Sequence, residues 1–389
     1  VRQGGQKNWT KPDAPWGTLK KARDDAEAAR FLTQATFGPT AKEIARVRKL
    51  GYAGWLNDQF SKPVTKHLPY VQKRRKELLA RSGGNSDGWQ MPRQEAWWQN
   101  AIAAPDQLRQ RMAFALSEIL VVSDVGVLDG SHEGITNYYD LLLKHSFGNF
   151  RKLLEEVTLS PIMGQYLSMV RNQKPNPVTG SQPDENYARE VVQLFTIGLN
   201  ELNPDGTLKL NSEGMPIPTY GQSDILGLAR VFTGWGYGYN PAKPPSNLRN
   251  HFLWGARDEM RPMIQYPEFH DKGEKRIVGG VIVPAGQKGE QDLKIALDTL
   301  FNHPNVGPFI GRQLIQRFVT SNPSPGYVYR VASAFNNNGK GVRGDLKATI
   351  RAVLLDPEAR NPKYTESLTY GKLREPLLRL THLFRAFKA

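Results

Sequence analysis

Apolar residues that return every three and four positions limit this chain to a fold built from packed helices. In DQLRQRMAFALSEILVVS (106–123), Leu108, Met112, Ala115, Leu116 and Ile119 form one such stripe. In DDAEAARFLTQATFG, Ala28, Phe31, Leu32 and Ala35 form another, which stops at Gly38-Pro39. TAKEIARVRKLG predicts a second helix with Thr40 as N-cap and Gly51 as C-cap, followed by a short third over YAGWLNDQF. The segment 89–122 reads as helix broken at Pro105-Asp106, and 135–167 as two helices split around Phe147-Gly148. Further helices are expected over 223–235, 290–302, 307–320, 326–335, 343–356 and 374–389.

From 198 to 290 Gly, Pro, Asn and Asp become frequent, and RIVGGVIVPAG (276–286) reads as a small hairpin. The fold class expected is therefore mainly α. A polar arm (1–23) would precede one large helical domain (24–389), which carries a loop-rich insertion with an irregular hairpin over 198–290. With 39% hydrophobic and 23% charged residues, the 389-residue chain is globular in composition.

Lys and Arg number 52 against 37 Asp and Glu, a net charge of +15, which favours polyanionic partners. Eight Trp and fourteen Tyr supply ring faces that fill cores and also stack on sugars. The densest basic cluster, KRRKELLAR (73–81), lies in a helical stretch without zinc-finger spacing or an RNP-type motif, so nucleic acid ranks as a secondary partner. Cysteine is absent, which excludes disulfides, thiol catalysis and Cys-ligated metal and fits an oxidising compartment. The chain begins at Val1 rather than Met, as after removal of a leader. No run of about eighteen apolar residues is present, so no membrane span is expected.

The most pointed stretch is PDENYAREVVQLFTIG (183–198). Asp184 is suited to cap a helix on which Asn186, Glu190 and Gln193 share a polar stripe, with Tyr187, Val191 and Leu194 forming an apolar one beside it. Glu185 and Arg189, four apart, are placed to pair. The bland alternative is a capped core helix tied down by that ion pair. His270-Asp271 in FHDKGEKRIVGG could shuttle a proton or hold a turn. Trp235, Tyr237 and Tyr239 in TGWGYGYN, followed by Trp254, could form a stacking platform or simply pack. Arg111 and Glu118 share a helix face with Arg109 nearby, and could line a cleft or form a buried pair; His132-Glu133 and Asn137-Tyr138-Tyr139 add another polar and aromatic group. There is no GxxxxGK[ST], no GxGxxG after a strand, no HExxH and no GxSxG elbow joining a strand to a helix. Neither a metal nor an organic cofactor is expected.

In the order ARFLTQATFGPT, RQRMAFALSEILVVS, DENYAREVVQLFTIGLNEL, SDILGLARVFTGWGY, FHDKGEKRIVGG and GKLREPLLR, the chain resembles the DUF1800 family over residues 24–389. The resemblance implies a bacterial, usually exported, largely helical protein of uncharacterised function, with a sulfatase-like protein as a possible partner. The family's central pattern is roughly N-E-N-[YF]-A-R-E-[LV]-x-E-L-[FH]-T-[LI]-G. Here Asp184 stands first and Gln193 replaces a common second Glu, which weakens any mechanism needing two carboxylates on this helix. Related chains also tend to continue beyond the position of Ala389.

The function expected is cleavage of an acidic bacterial polysaccharide at the periplasm, cell surface or outside the cell. A hydrolase would use Glu190 as general acid with a second carboxyl. Glu185 lies about 140° away around the helix, so Asp271 or Glu118 would have to supply it. A lyase would neutralise a uronate carboxylate with Asn186 or Arg189 and take the C5 proton with Tyr187 or His270. The alternatives are a non-catalytic envelope protein that binds or assembles anionic polymer, and a nucleic-acid binder.

Overall fold

The structure is a computed structural model that describes Lys11 and residues 20–81 and 90–388. Most of the arm expected over 1–23 lies outside the described residues. The N-terminal half contains α1 (Asp25–Ala35), α2 (Ala41–Ser61), α3 (Leu68–Arg81), α4 (Gln90–Ala103), α5 (Gln107–Ser117), α6 (His132–His145), α7 (Phe150–Thr158), α8 (Pro161–Tyr166) and α9 (Asn186–Gln193). The middle holds α10 (Gln222–Val231), β1 (Trp235–Gly236), α11 (Leu248–Trp254), β2 (Ile264–Gln265), β3 (Lys275–Ile277) and β4 (Val281–Val283). The C-terminal part adds α12 (Gly289–Asn302), α13 (Val306–Phe318), α14 (Pro325–Asn336), α15 (Leu346–Leu355), α16 (Pro357–Arg360) and α17 (Pro376–Phe387). The fold is mainly α, as the periodicity requires.

Local chemistry sets the helix ends. Asp24 and Thr40 accept the N–H groups of Glu27 and Glu43 and so cap α1 and α2. Gly51 adopts φ 70°, which breaks α2 into the two helices expected there and lets the Tyr52 N–H reach Lys20 O. At Ser160-Pro161 the structure departs from the expected pair of helices over 135–167. Proline at the first position of α8 ends α7, so three helices form and the first begins earlier, at His132.

One contiguous apolar core runs from Ala22 to Ala359 through most of the helices, while α4 and α17 share a smaller cluster and α11 joins another. At its centre α5 is buried from Gln107 to Leu116 except at Phe114, and it packs on α1, α2, α4, α6 and α13. β3 and β4 pair antiparallel across Gly279-Gly280, both at positive φ, which is the expected hairpin. β1 and β2 form a second short antiparallel pair. Among the described residues no helix is long and apolar enough to cross a membrane.

The hairpin seats on α10 at Gly227, where an added Cβ would overlap the carbonyl oxygen of Arg276. Backbone cannot retreat as a side chain can. Gly227→Ala is therefore expected to lower unfolding free energy by about 3 kcal/mol, the upper range for overpacking. A denaturant titration measures it, and an unchanged midpoint would show that the hairpin yields freely.

Candidate functional site

The Glu190 helix, α9, starts where the side chain of Asn172 binds both the N–H and C=O of Asp184, at 2.9 and 3.0 Å. Asp184 Oδ1 in turn accepts the Asn186 N–H at 2.8 Å, but the N-cap position falls on Glu185, which makes no side-chain cap, so Asp184 holds the turn before the helix instead of capping it. Tyr187, Ala188, Val191 and Val192 face the core. The helix ends at Gln193, earlier than a run to 198 implies, and this leaves Leu194 48% exposed rather than on the apolar stripe.

Tyr187 is sealed: its ring stands edge-on to Phe232 and its hydroxyl meets Thr158 Oγ1 at 2.6 Å. Burial drives its phenol pKa far up. A phenol with no route to solvent cannot take a substrate proton, so the base role expected for Tyr187 is corrected.

On the outer face, Glu185 pairs with Arg189 at 2.9 Å. Gln222 closes a ring by donating to Glu185 at 2.8 Å and accepting from Arg189 at 3.3 Å. That carboxyl is engaged. Glu190 is not: it is half-buried, and its Oε2 is buried without a hydrogen-bond partner. Burial pushes its carboxyl pKa up, and Arg189 only partly offsets this. Tyr220, which the sequence reading missed, donates to Gln193 Oε1 at 2.8 Å. Its pKa is raised by burial, with Arg189 lowering it and Glu190 raising it, which places all three groups within electrostatic reach. Exposed Asn186 completes this ledge. Tyr220 lies 30 residues beyond Glu190, so helical spacing on α9 carried no signal for it.

His270 and Asp271 serve the hairpin instead. His270 is 2% exposed, with Nδ1 3.0 Å from Thr233 O and Nε2 3.1 Å from Asp292 Oδ2. Buried Lys275 reaches the same Asp292 oxygen at 2.7 Å. Asp271 accepts two hydrogen bonds from Arg230, at 2.7 and 3.1 Å, and one from the Gly273 N–H. Burial alone would raise the Asp271 carboxyl pKa, but the Arg230 hydrogen bond and charge outweigh it and hold it below the usual range. The turn-holding alternative is what these contacts describe. Neither residue is hydrogen-bonded to or paired with Glu190.

The expected aromatic platform is also corrected. Trp235 and Tyr237 are each 3% exposed and present no ring face to solvent. Gly236 and Gly238 alternate with them because a Cβ would run into Phe252 or the Pro262 carbonyl. Only Tyr239, half-buried, and Trp254, 82% exposed, remain accessible. Tyr239 and His251 line a groove of about 450 Å³ with Glu133 and Glu259. The same two carboxylates line a smaller recess holding His132. Both are engaged: Glu133 by Arg75, and Glu259 by Ser131 at 2.7 Å.

Arg111 and Glu118 share a face without pairing. Arg111 is 0% exposed and donates to Arg317 O at 2.6 Å, while Glu118 lies 3.4 Å from the Arg317 guanidinium. A polymer cannot reach Arg111, which corrects its expected substrate contact. Arg109 donates to Leu143 O and lies over the Phe147 ring. Beside this cluster, Trp97, Trp98, Phe114, Tyr138 and Tyr139 wall a cavity of about 530 Å³.

Among the described residues no group of three or more His, Asp or Glu side chains is placed to hold a metal ion. A G-x-S-x-G spacing does occur in GNSDG (84–88), between α3 and α4 rather than after a strand, and lies outside the described residues. The family model described as "Protein of unknown function (DUF1800)" matches residues 30–389. No curated protein and no solved structure matches the chain.

The contrast between Asp271 and Glu190 is measurable. Asp271→Asn leaves the half-buried Arg230 without its charged partner and should destabilise the fold by roughly 1–3 kcal/mol, as losing a charged hydrogen-bond partner does. Because the folded pKa of Asp271 is depressed, its stabilisation is present above the unfolded carboxylate pKa and is lost as pH falls through the folded one. The wild-type advantage over Asp271→Asn should therefore shrink in acid. A difference independent of pH would mean that the carboxylate charge is not what holds the hairpin.

Proposed function

The chain belongs to the DUF1800 family of proteins of unknown function, and for this member we propose cleavage of an anionic polysaccharide by acid–base chemistry at Glu190. One observation carries the reading: Glu190 is the carboxyl on α9 that is neither paired nor capped, with a buried oxygen lacking a partner and a raised pKa. A carboxyl tuned toward neutrality transfers protons more effectively near physiological pH than an ordinary one. The +15 charge favours an anionic chain as substrate. The absence of cysteine and the family resemblance favour an exported site of action, on envelope or extracellular polymer.

Of the two chemistries, elimination suits the ledge better. Hydrolysis needs a second free carboxyl, and Glu185 is engaged by Arg189 and Gln222 while Asp271 is held by Arg230. In elimination, ionised Glu190 takes the C5 proton of a uronate. The released electron pair forms the C4–C5 double bond, the C4–O bond breaks, and the leaving oxygen takes the Tyr220 hydroxyl proton. Exposed Asn186 would receive the uronate carboxylate, with the partly exposed Arg189 turning to it from Glu185 and Gln222. A second reading, a non-catalytic binder of anionic polymer, draws support from the closed Glu185–Arg189–Gln222 ring and from exposed Trp254.

Incubation with a panel of acidic and neutral bacterial polysaccharides, followed by ultraviolet absorbance and reducing-end assays, tests the proposal. Unsaturated uronate should form from an acidic polymer, and Glu190→Gln or Tyr220→Phe should lower turnover by roughly 10²–10⁴-fold. Activity should rise with pH through the raised pKa of Glu190, since the working form is the carboxylate. For stability the sign is opposite to that at Asp271. The folded pKa of Glu190 lies above the unfolded one, so its desolvation penalty is absent in acid and develops as pH rises through the folded value. Glu190→Gln should therefore melt at or above wild type at neutral pH and level with it in acid. New reducing ends without unsaturation would mean hydrolysis. Binding without any product, in wild type and Glu190→Gln alike, would favour the second reading, with DNA competition separating glycan from nucleic acid.

A further inference from the structure

We infer that the aromatic cavity between α4, α5 and α6 binds a compact ring-bearing carboxylate, its ring against Trp97 and Tyr139 and its charge drawn toward the buried arginines behind Phe114. The site is distinct from the Glu190 ledge and does not depend on the chemistry proposed there.

The walls suit a ring. Trp97 stands edge-on to Trp98 and Phe37 at 5.3 and 5.2 Å, so its orientation is fixed by packing before any ligand arrives. Its indole N–H donates to the Tyr139 hydroxyl oxygen at 3.3 Å, which leaves the Tyr139 O–H to donate onward. His67 packs on the same Tyr139 ring at 4.9 Å and lines the cavity too. Volume sets the scale: about 530 Å³ falls within the roughly 300–1,000 Å³ of small-molecule sites and suits a compact ligand rather than a folded chain.

The charge behind the wall supplies the sign. The Arg111 guanidinium lies 5.4 Å from the Phe114 ring centroid and 4.8 Å from that of Phe318. Only its Nη2 has a partner; Nε and Nη1 are buried without acceptors. Arg374 Nη1 and His382 Nε2 also lack partners, whereas Arg317 Nε faces Glu118 Oε2 at 3.4 Å. Burial first, and then Arg374, push the Arg111 pKa down to about 10, against the pull of Glu118, Glu375 and Tyr139. His382 is held near 4 by burial and by Arg374, Arg111 and Arg385. Arg317 pairs with Glu118 and Lys372 with Glu375, at 3.4 and 2.8 Å, so the surplus positive charge here belongs to Arg111 and Arg374.

An anion against the Phe114 face of the cavity would be attracted through that ring by the Arg111 charge 5.4 Å behind it. A single carboxylate fits better than a phosphate dianion, because the second charge would oppose Glu118 and Glu375. The GKLREPLLR segment, which gives no function to the Glu190 ledge, contributes Lys372, Arg374, Glu375 and the cavity-lining Leu377.

Calorimetry or tryptophan fluorescence of the full chain tests this with glucuronate and benzoate as probes and glucose and benzyl alcohol as neutral counterparts. At least one carboxylate should bind saturably at one site, about tenfold or more tighter than its neutral counterpart. Which of the two binds distinguishes a sugar ring from an aromatic one. Ser117→Leu, which fills the cavity from α5 and leaves the arginines in place, should weaken binding at least ~10-fold. Arg111→Met should abolish the preference for charge; if that variant does not fold, Ser117→Leu decides. Benzoate offers the Glu190 ledge no uronate, and binding lost in Ser117→Leu reports the cavity alone, so failure here and failure of the Glu190 reading stay separate. No saturable binding of either carboxylate, equal affinity for the neutral probes, or unchanged binding in Ser117→Leu would each overturn the assignment.

Discussion

A helix buried on every side has to find partners for its polar side chains among its neighbours, and α5 imposes that constraint on this fold. Gln107 donates to the carbonyls of Asn100, Ala101 and Ala104, and so closes the end of α4. Gln110 joins Thr65 and His67, Arg109 reaches the end of α6, and Arg111 reaches α13. Each bond is a cross-link between α5 and a different segment. The apolar core supplies the driving force for collapse, but these polar side chains fix which helix faces which.

The same constraint separates structural charge from available charge. Asp271, Asp292 and Lys275 are buried and engaged, and their contacts hold a hairpin against α10 and α12. Glu190 and Arg111 are buried in part or in full yet keep atoms without partners. Leaving such atoms unpaired costs on the order of 1–3 kcal/mol each, so they mark places where packing alone did not set the side chain. The two places differ in kind. Glu190 is half-buried on the outer side of α9, whereas Arg111 is fully buried behind the Phe114 ring.

Helix positions were largely legible from spacing, because period and caps are local: Asp24, Thr40 and Gly51 act where the sequence puts them. The break at Ser160-Pro161 was legible too, through proline's missing N–H, yet the continuing apolar period masked it. The aromatic stretch misled for a related reason. Alternating glycine reads as openness, whereas at Gly236 and Gly238 it records neighbours too close for a Cβ.

By itself the sequence determined the helical class, the positions of most helices, the excess of positive charge and the Glu185–Arg189 pair, since each depends on composition or on residues within one or two turns. Only the tertiary structure decided which polar residues are spent. Tyr187 and Tyr220 are both phenols near Glu190, but one is locked against Phe232 and the other stands on the ledge. His270, on the loop before the hairpin, is consumed by Asp292 from α12, and Arg111 gathers Arg317 and Arg374 from distant segments. Burial and pairing between such segments depend on how helices pack in three dimensions, and one-dimensional spacing does not contain that information.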